Sequence, residues 1–267
     1  MSTTTAQVSG HPLADTATML RRNLRHQQRY PGMTLSTLIS PVIMLLLFGL
    51  VFGKTFQAGI GGAGFDYLDF LVPGLLLVTL GSGTVPTAVA VCTDMTEGIV
   101  ARFRTMAIFR PSVLAGHVIG SLLQTLVSVA LLVGVGLLMG FRPTATFGQW
   151  LLAAALIVGT AVALTWLAVA LGLTSKTPEA ASNVVLPFSL ILPFLSSTFV
   201  PIDSMPSGIR WFAEYQPYTP IIETLRGLLI GTPYSASDAW LAAIWCVVVA
   251  VGGYLWSRRS YNKGTAA

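Results

Sequence analysis

Apolar runs of about 20 residues dominate this sequence, and each is long enough to cross about 30 Å of hydrocarbon as a helix. Six such runs cover residues 34–53, 68–92, 112–140, 150–173, 182–201 and 237–256. Backbone polar groups in lipid must be paired within their own segment unless a barrel closes, and no alternating strand pattern is present. The expected fold is therefore an all-α polytopic membrane protein with six transmembrane helices. Composition agrees: 54% of the 267 residues are hydrophobic and 9% are charged, where soluble domains carry about 25% charged residues.

Basic residues set the expected orientation. With the N-terminus inside, eleven of the fifteen Lys and Arg residues fall in the cytoplasm, and Lys54, Arg142, Arg210 and Arg226 fall outside. Both termini are then cytoplasmic. The basic residues flank apolar runs, which is how membrane topology raises a pI and argues against nucleic-acid binding. Residues 1–12 are rich in Ser and Thr and are expected to be disordered. Over 13–30, Leu13, Ala17, Leu20 and Leu24 share one stripe, with Arg21, Arg22, Arg25 and Arg29 on another side. That pattern suits an amphipathic interfacial helix contacting membrane lipids, or equally a solvated basic arm. No apolar core with a small-residue cleavage site occurs in the first 30 residues, so no cleaved signal peptide is expected. The chain reads as one transmembrane unit with a six-helix core over 34–256 and a tail over 257–267.

Two spans carry helix breakers. Pro73, Gly81 and Pro86 in the second, and Pro187 and Pro193 in the fifth, interrupt helical hydrogen bonding and mark flexible, path-lining helices, or simply the usual Pro and Gly content of membrane helices. The spacings Gly49/Gly53, Gly116/Gly120 and Gly136/Gly140 would permit close helix approach. Between the fifth and sixth runs, Thr219-Pro220 reads as a helix start and Gly231 as its stop. A helix of about 11 residues, about 16 Å long, cannot cross a bilayer. Trp211, Phe212 and Tyr215 precede it, residue types favoured at head-group level. Two short helices re-entering the outer leaflet are expected here. Glu223 and Arg226, at i,i+3, form either an ordinary exposed ion pair or part of an outer gate.

Several chemistries fail on spacing. The segment FGLVFGKT at 48–55 leaves three residues between Gly49 and Gly53, whereas a phosphate-binding loop needs four. The chain is thus expected to bind no nucleotide or other cofactor itself. His11, His26 and His117 are dispersed and give no metal site. Cys92 and Cys246 lie inside expected spans, so no disulfide framework is indicated. No catalytic triad or intramembrane acid stands out, which disfavours an ion-coupled carrier and an enzyme.

The longest charged interruption is 93–117. As a helix, 95–110 would put Met95, Ile99, Phe103 and Met106 on one face, with Glu97, Ala101 and Arg104 opposite. Arg102 and Arg110 stand at the edges, and Pro111 closes the turn. It would lie flat under the membrane, ready for a cytoplasmic partner, or serve as a loop whose arginines set topology.

DMTEGIVARFRTMAIFRPSVLAGH at 94–117 resembles the cytoplasmic loop of ABC-2 type permeases, in particular the daunorubicin/doxorubicin-resistance branch. FLVPGLLLVTL at 70–80 and SSTFVPIDSMPSGIRWFAEYQPYTPIIETLRGLL at 196–229 agree. The resemblance covers residues 30–256. It implies an exporter permease in the bacterial cell membrane that pairs with a second chain, identical or homologous, and binds two copies of a separate ABC ATPase carrying ATP and Mg. Glu97, Ile99, Arg102, Phe103, Arg104 and Met106 would form the coupling helix in that ATPase, and 203–231 the re-entrant region near the exit. Ala107, commonly proline in the family, and His117, frequently arginine, depart from the pattern and leave the loop's bend and anchoring open. The implied cargo is a hydrophobic drug, secondary metabolite or lipid. Polysaccharide export within the same family and a polytopic lipid-metabolising enzyme are the alternatives.

Overall fold

The computed structural model describes residues 18, 20 and 21, then 31–59, 66–97 and 111–263. The expected disordered stretch 1–12, most of the interfacial helix over 13–30, and Ile99, Arg102, Phe103, Arg104, Met106 and Ala107 lie outside them. Among the described residues every regular element is helical.

Helix α1, Pro31–Leu46, continues through a π-helical turn at Leu47–Val51 into the short α2, Gly53–Gly59. The second apolar run forms α3, Tyr67–Ser82, and α4, Thr84–Thr96. Then come α5, Pro111–Met139, and α6, Phe147–Thr174. The fifth run is α7, Pro178–Leu186, a π-helical turn at Pro187–Ile191 and the three-residue α8, Leu192–Phe194. Two short helices follow, α9 over Ser207–Tyr215 and α10 over Tyr218–Ile230, before the long α11, Ala236–Lys263.

Four segments are long and apolar enough to cross a membrane: Tyr67–Thr96, Leu114–Met139, Phe147–Thr174 and Ala236–Tyr261. The first expected run is a shorter apolar helix, Leu35–Val51. The fifth falls short for a local reason. Pro187 and Pro193 have no N–H to donate, so the helix widens into the π turn and stops at Phe194.

At the centre stands α3, apolar all round and buried from Phe70 to Gly81. It packs against α1, α5, α6, α10 and the turn Pro187–Ile191. Between helices in lipid, close packing rather than water exclusion supplies the attraction, so small residues mark the closest crossings. A Cβ on Gly81 would stand 2.9 Å from the Ser189 carbonyl oxygen, and one on Gly74 would stand 2.6 Å from the Thr198 carbonyl oxygen. Pro193, lacking an N–H, cannot pair with that Ser189 carbonyl in the helical pattern. On the other side of the bundle, Gly172 lets α6 approach Ala88 of α4.

The expected GxxxG pairs divide. Gly49 and Gly136 face neighbours closely, whereas Gly53 meets only the Phe48 carbonyl and Gly140 takes φ 117° to end α5. The tightest crossings use lone glycines instead. Between α3 and α4, Gly83 sits against α5, where a Cβ would come within 2.4 Å of the Thr125 hydroxyl. Pro86 then occupies the third position of α4, where its N–H is not needed. Thr87 of α4 donates to Ser121 of α5 at 2.6 Å, tying the restarted helix to its neighbour.

Candidate functional site

The outer segment carries the most constrained side chain. Arg226 lies on α10 within an otherwise apolar helix and is 1% exposed. Its Nε donates to the Phe70 carbonyl at 3.1 Å, and Nη2 donates to the Ser197 and Thr198 carbonyls at 2.6 and 3.2 Å. Nη1 donates to Glu223 at 2.8 Å. The guanidinium carbon stands 3.4 Å from the Phe70 ring centroid, a cation–π contact. A planar group with five donors suits three carbonyls and a carboxylate converging from three directions, which an ammonium would not.

The reading of Glu223–Arg226 as an ordinary exposed pair is corrected: the acid is 32% exposed at its side chain, but the arginine is buried. Its charge is compensated because the chain after α8 turns at 195–200 and aims carbonyls inward. One arginine thus ties the short helix to the start of α3 and to the end of the fifth segment.

Helix α10 has a firm stop and a different start from the one expected. Gly231 adopts φ 73°, the left-handed cap that favours glycine. The helix begins at Tyr218, with Pro217 before it, so Thr219 lies inside the first turn and does not cap it; its hydroxyl has no hydrogen-bond partner. At its beginning Tyr218 donates its hydroxyl to the Phe188 carbonyl, in the π turn. At its other end the Leu229 carbonyl accepts the Thr144 N–H at 2.9 Å, beside the α5–α6 connection. The helix therefore runs from the middle of the fifth segment toward the ends of α5 and α6. The turn 216–217 between α9 and α10 is the innermost point of a helical hairpin.

Beside that turn lies a cavity of about 670 Å³ between α6, α11 and the fifth segment. Trp211, Phe212 and Tyr215 from α9 stand on its wall, with Trp245, Val249 and Trp256 from α11 opposite. The structure thus brings together three of the five outer residues expected to act. Glu223 and Arg226 belong to the separate cluster on Phe70. Gln216 also faces the cavity, is 5% exposed, and donates Nε2 to the Leu195 carbonyl at 2.7 Å. Neither Gln216 nor Trp245 was legible as a site residue, because nothing in sequence places α6, α9 and α11 around one space.

The helix breakers are placed as follows. Pro73, Gly81 and Pro193 are buried in the packing of α3 on the fifth segment, Pro86 is half-buried, and Pro187 is exposed. Beside residues 98–110, Asp94 is buried rather than looped out, and its carboxylate meets His117 Nε2 at 2.9 Å. This pair joins α4 to α5 on either side of the charged loop. Cys92 donates its thiol to the Ser175 carbonyl at 3.5 Å at the same end. Glu97 caps α4 and is exposed.

The family profile described as ABC-2 type transporter matches residues 15–230, most of the chain. The chain belongs to the ABC-2 type transporter family. It is 29% identical over 248 residues, 93% of this chain and 86% of the relative, to the daunorubicin resistance ABC transporter permease protein DrrB1 of Streptomyces coeruleorubidus. It is 26% identical over 247 residues, 90% of this chain and 86% of the relative, to a Mycobacterium tuberculosis protein named "Probable doxorubicin resistance ABC transporter permease protein DrrC". The inner membrane transport permease YadH of Escherichia coli is 25% identical over 210 residues, 76% of this chain and 79% of that protein. With its long apolar helices, this ABC-2 family member is a multi-pass integral membrane protein, and the bacterial plasma membrane fits its relatives. Such relatives are transport components rather than enzymes.

Proposed function

We propose that this chain is the permease subunit of an ATP-driven exporter of hydrophobic or amphiphilic molecules, a drug, secondary metabolite or lipid. The observation that carries this reading is the match across most of the chain to permeases whose names record resistance to daunorubicin and doxorubicin. The nearly all-apolar cavity supports an apolar cargo over a polysaccharide, which would need a hydrogen-bonding wall.

In this reading the chain forms a single transmembrane unit of six membrane segments, adding Leu35–Val51 and the kinked segment 178–194 to the four long helices, with both termini cytoplasmic. The hairpin α9–α10 re-enters the outer leaflet, held there by Arg226. Two permease chains, identical or homologous, bind two ATPase subunits, which carry ATP and Mg. Glu97, Ile99, Arg102, Phe103, Arg104 and Met106 meet the ATPase, and its closure pushes this loop. The Asp94–His117 pair carries the push into α4 and α5, and the breaks at Gly83 and Pro187–Ile191 let the central helices reorient.

The test is purification of the tagged chain from its native membranes in mild detergent. Recovery of an ABC ATPase in equal amount, with ATP hydrolysis raised by an apolar cargo, is expected. A chain that purifies alone and still transports after reconstitution would overturn the proposal.

A further inference from the structure

Two buried polar atoms in the cavity have no partner. Gln216 uses its amide nitrogen on the Leu195 carbonyl, but its Oε1 is buried without a hydrogen bond, and so is the indole Nε1 of Trp245. Both residues line the cavity, whose remaining wall is almost entirely hydrocarbon and aromatic. An unsatisfied buried acceptor and an unsatisfied buried donor are each costly, and their presence in one apolar space calls for a molecule that answers both. The wall contributed by α11 runs from Trp245 to Trp256. At 1.5 Å per residue this is about 16 Å, roughly half the thickness of a bilayer's hydrocarbon and so about one leaflet.

We infer that this cavity is a binding site for a single-chain amphiphile whose hydroxyl-type head pairs with Gln216 Oε1 or Trp245 Nε1 and whose apolar body lies along α11. A hydroxyl both donates and accepts, which matches the two free atoms. The flat faces of Trp211, Trp245 and Trp256 pack against the chain or a fused ring with little loss of side-chain freedom. The inference needs only that the chain lies in a membrane, and it stands whether or not the export reading holds. The chain of a membrane lipid and a free amphiphile share this chemistry.

Gly252 provides the test. It faces the cavity, and a Cβ there would meet nothing within 4 Å, whereas one on neighbouring Gly253 would come within 2.9 Å of the Leu167 backbone. Gly252→Phe therefore fills the cavity while leaving the α6–α11 contact alone. The full chain is placed in phosphatidylcholine vesicles with a long-chain primary alcohol bearing a mid-chain diazirine, and labelled peptides are mapped. Labelling concentrated on the α9–α10 turn and on residues 245–256, and reduced to background by Gly252→Phe, is expected.

Trp245→Phe removes the indole donor with little change in shape. It should lower labelling by the alcohol roughly fivefold, the scale of one hydrogen bond, and leave labelling by the matching hydrocarbon unchanged. Loss of label on adding more phospholipid assigns the site to a lipid chain. Label removed only by added free alcohol assigns it to a soluble amphiphile. Uniform labelling of every lipid-facing helix, label indifferent to Gly252→Phe in a variant that melts like the parent, or crosslinks joining two copies through these residues would overturn the inference.

Discussion

Arg226 grips Phe70 twice, donating Nε to its carbonyl at 3.1 Å while the guanidinium carbon stands 3.4 Å from the ring centroid. These residues are 156 apart in sequence. The contact converts a short, non-spanning helix into part of the core, because α3 is the most buried helix of the bundle.

Replacing Arg226 should therefore destabilise the protein more than any exposed charge change. Arg226→Met strands the Phe70, Ser197 and Thr198 carbonyls, and a loss of about 3 kcal/mol is expected. Arg226→Lys keeps the charge but not the planar fork and should recover only part of that loss. Glu223→Gln, at a half-exposed carboxylate, should cost less than about 1 kcal/mol. Thermal unfolding in detergent measures all three. Equal effects of the arginine and glutamate changes would refute the hub role of Arg226.

The close crossings give a second prediction. Gly74→Ala would drive a Cβ to 2.6 Å from the Thr198 carbonyl oxygen, and Gly81→Ala another to 2.9 Å from that of Ser189. Each should cost about 1–3 kcal/mol through forced separation of α3 from the fifth segment. Gly159→Ala on α6, where nothing lies within 4 Å, should be neutral or stabilise by up to about 1 kcal/mol. The same unfolding assay separates the two classes.

Asp94 and His117 should behave as a coupled pair. Asp94→Ala and His117→Ala each remove the 2.9 Å contact, so the double variant should fall short of the sum of the singles by about 1 kcal/mol. Additive effects would show that the contact contributes nothing to joining α4 and α5.

On the export reading, Phe103→Ala and Arg104→Glu should lower cargo-stimulated ATP hydrolysis by the copurified complex roughly tenfold, the scale on which single interface anchors act. Membrane insertion, followed by protease protection, should be unchanged. Normal export by these variants would remove the coupling role from the loop.

Much of the architecture was legible in the residues. Uninterrupted apolar runs announce membrane helices because lipid leaves no other way to satisfy a backbone, and 147–174 and 236–263 follow their runs closely. Gly231 was legible as a stop because a left-handed cap favours glycine. The start of α10 was not, since Thr219-Pro220 has capping chemistry while the turn geometry at 216–217 begins the helix at Tyr218.

By itself, then, the sequence determined the class of protein, the helices that apolar length enforces, the breaks at proline and glycine, and membership in a permease family through motifs spread along the chain. Only the tertiary structure decided what the isolated polar residues do. Whether Arg226 is a solvated surface charge or a buried tie depends on where the carbonyls of Phe70, Ser197 and Thr198 point, and local pattern carries no record of that. The cavity is of the same kind: its walls come from segments far apart in the chain, and it exists because α9 and α10 turn inward against the widened helix at Pro187–Ile191.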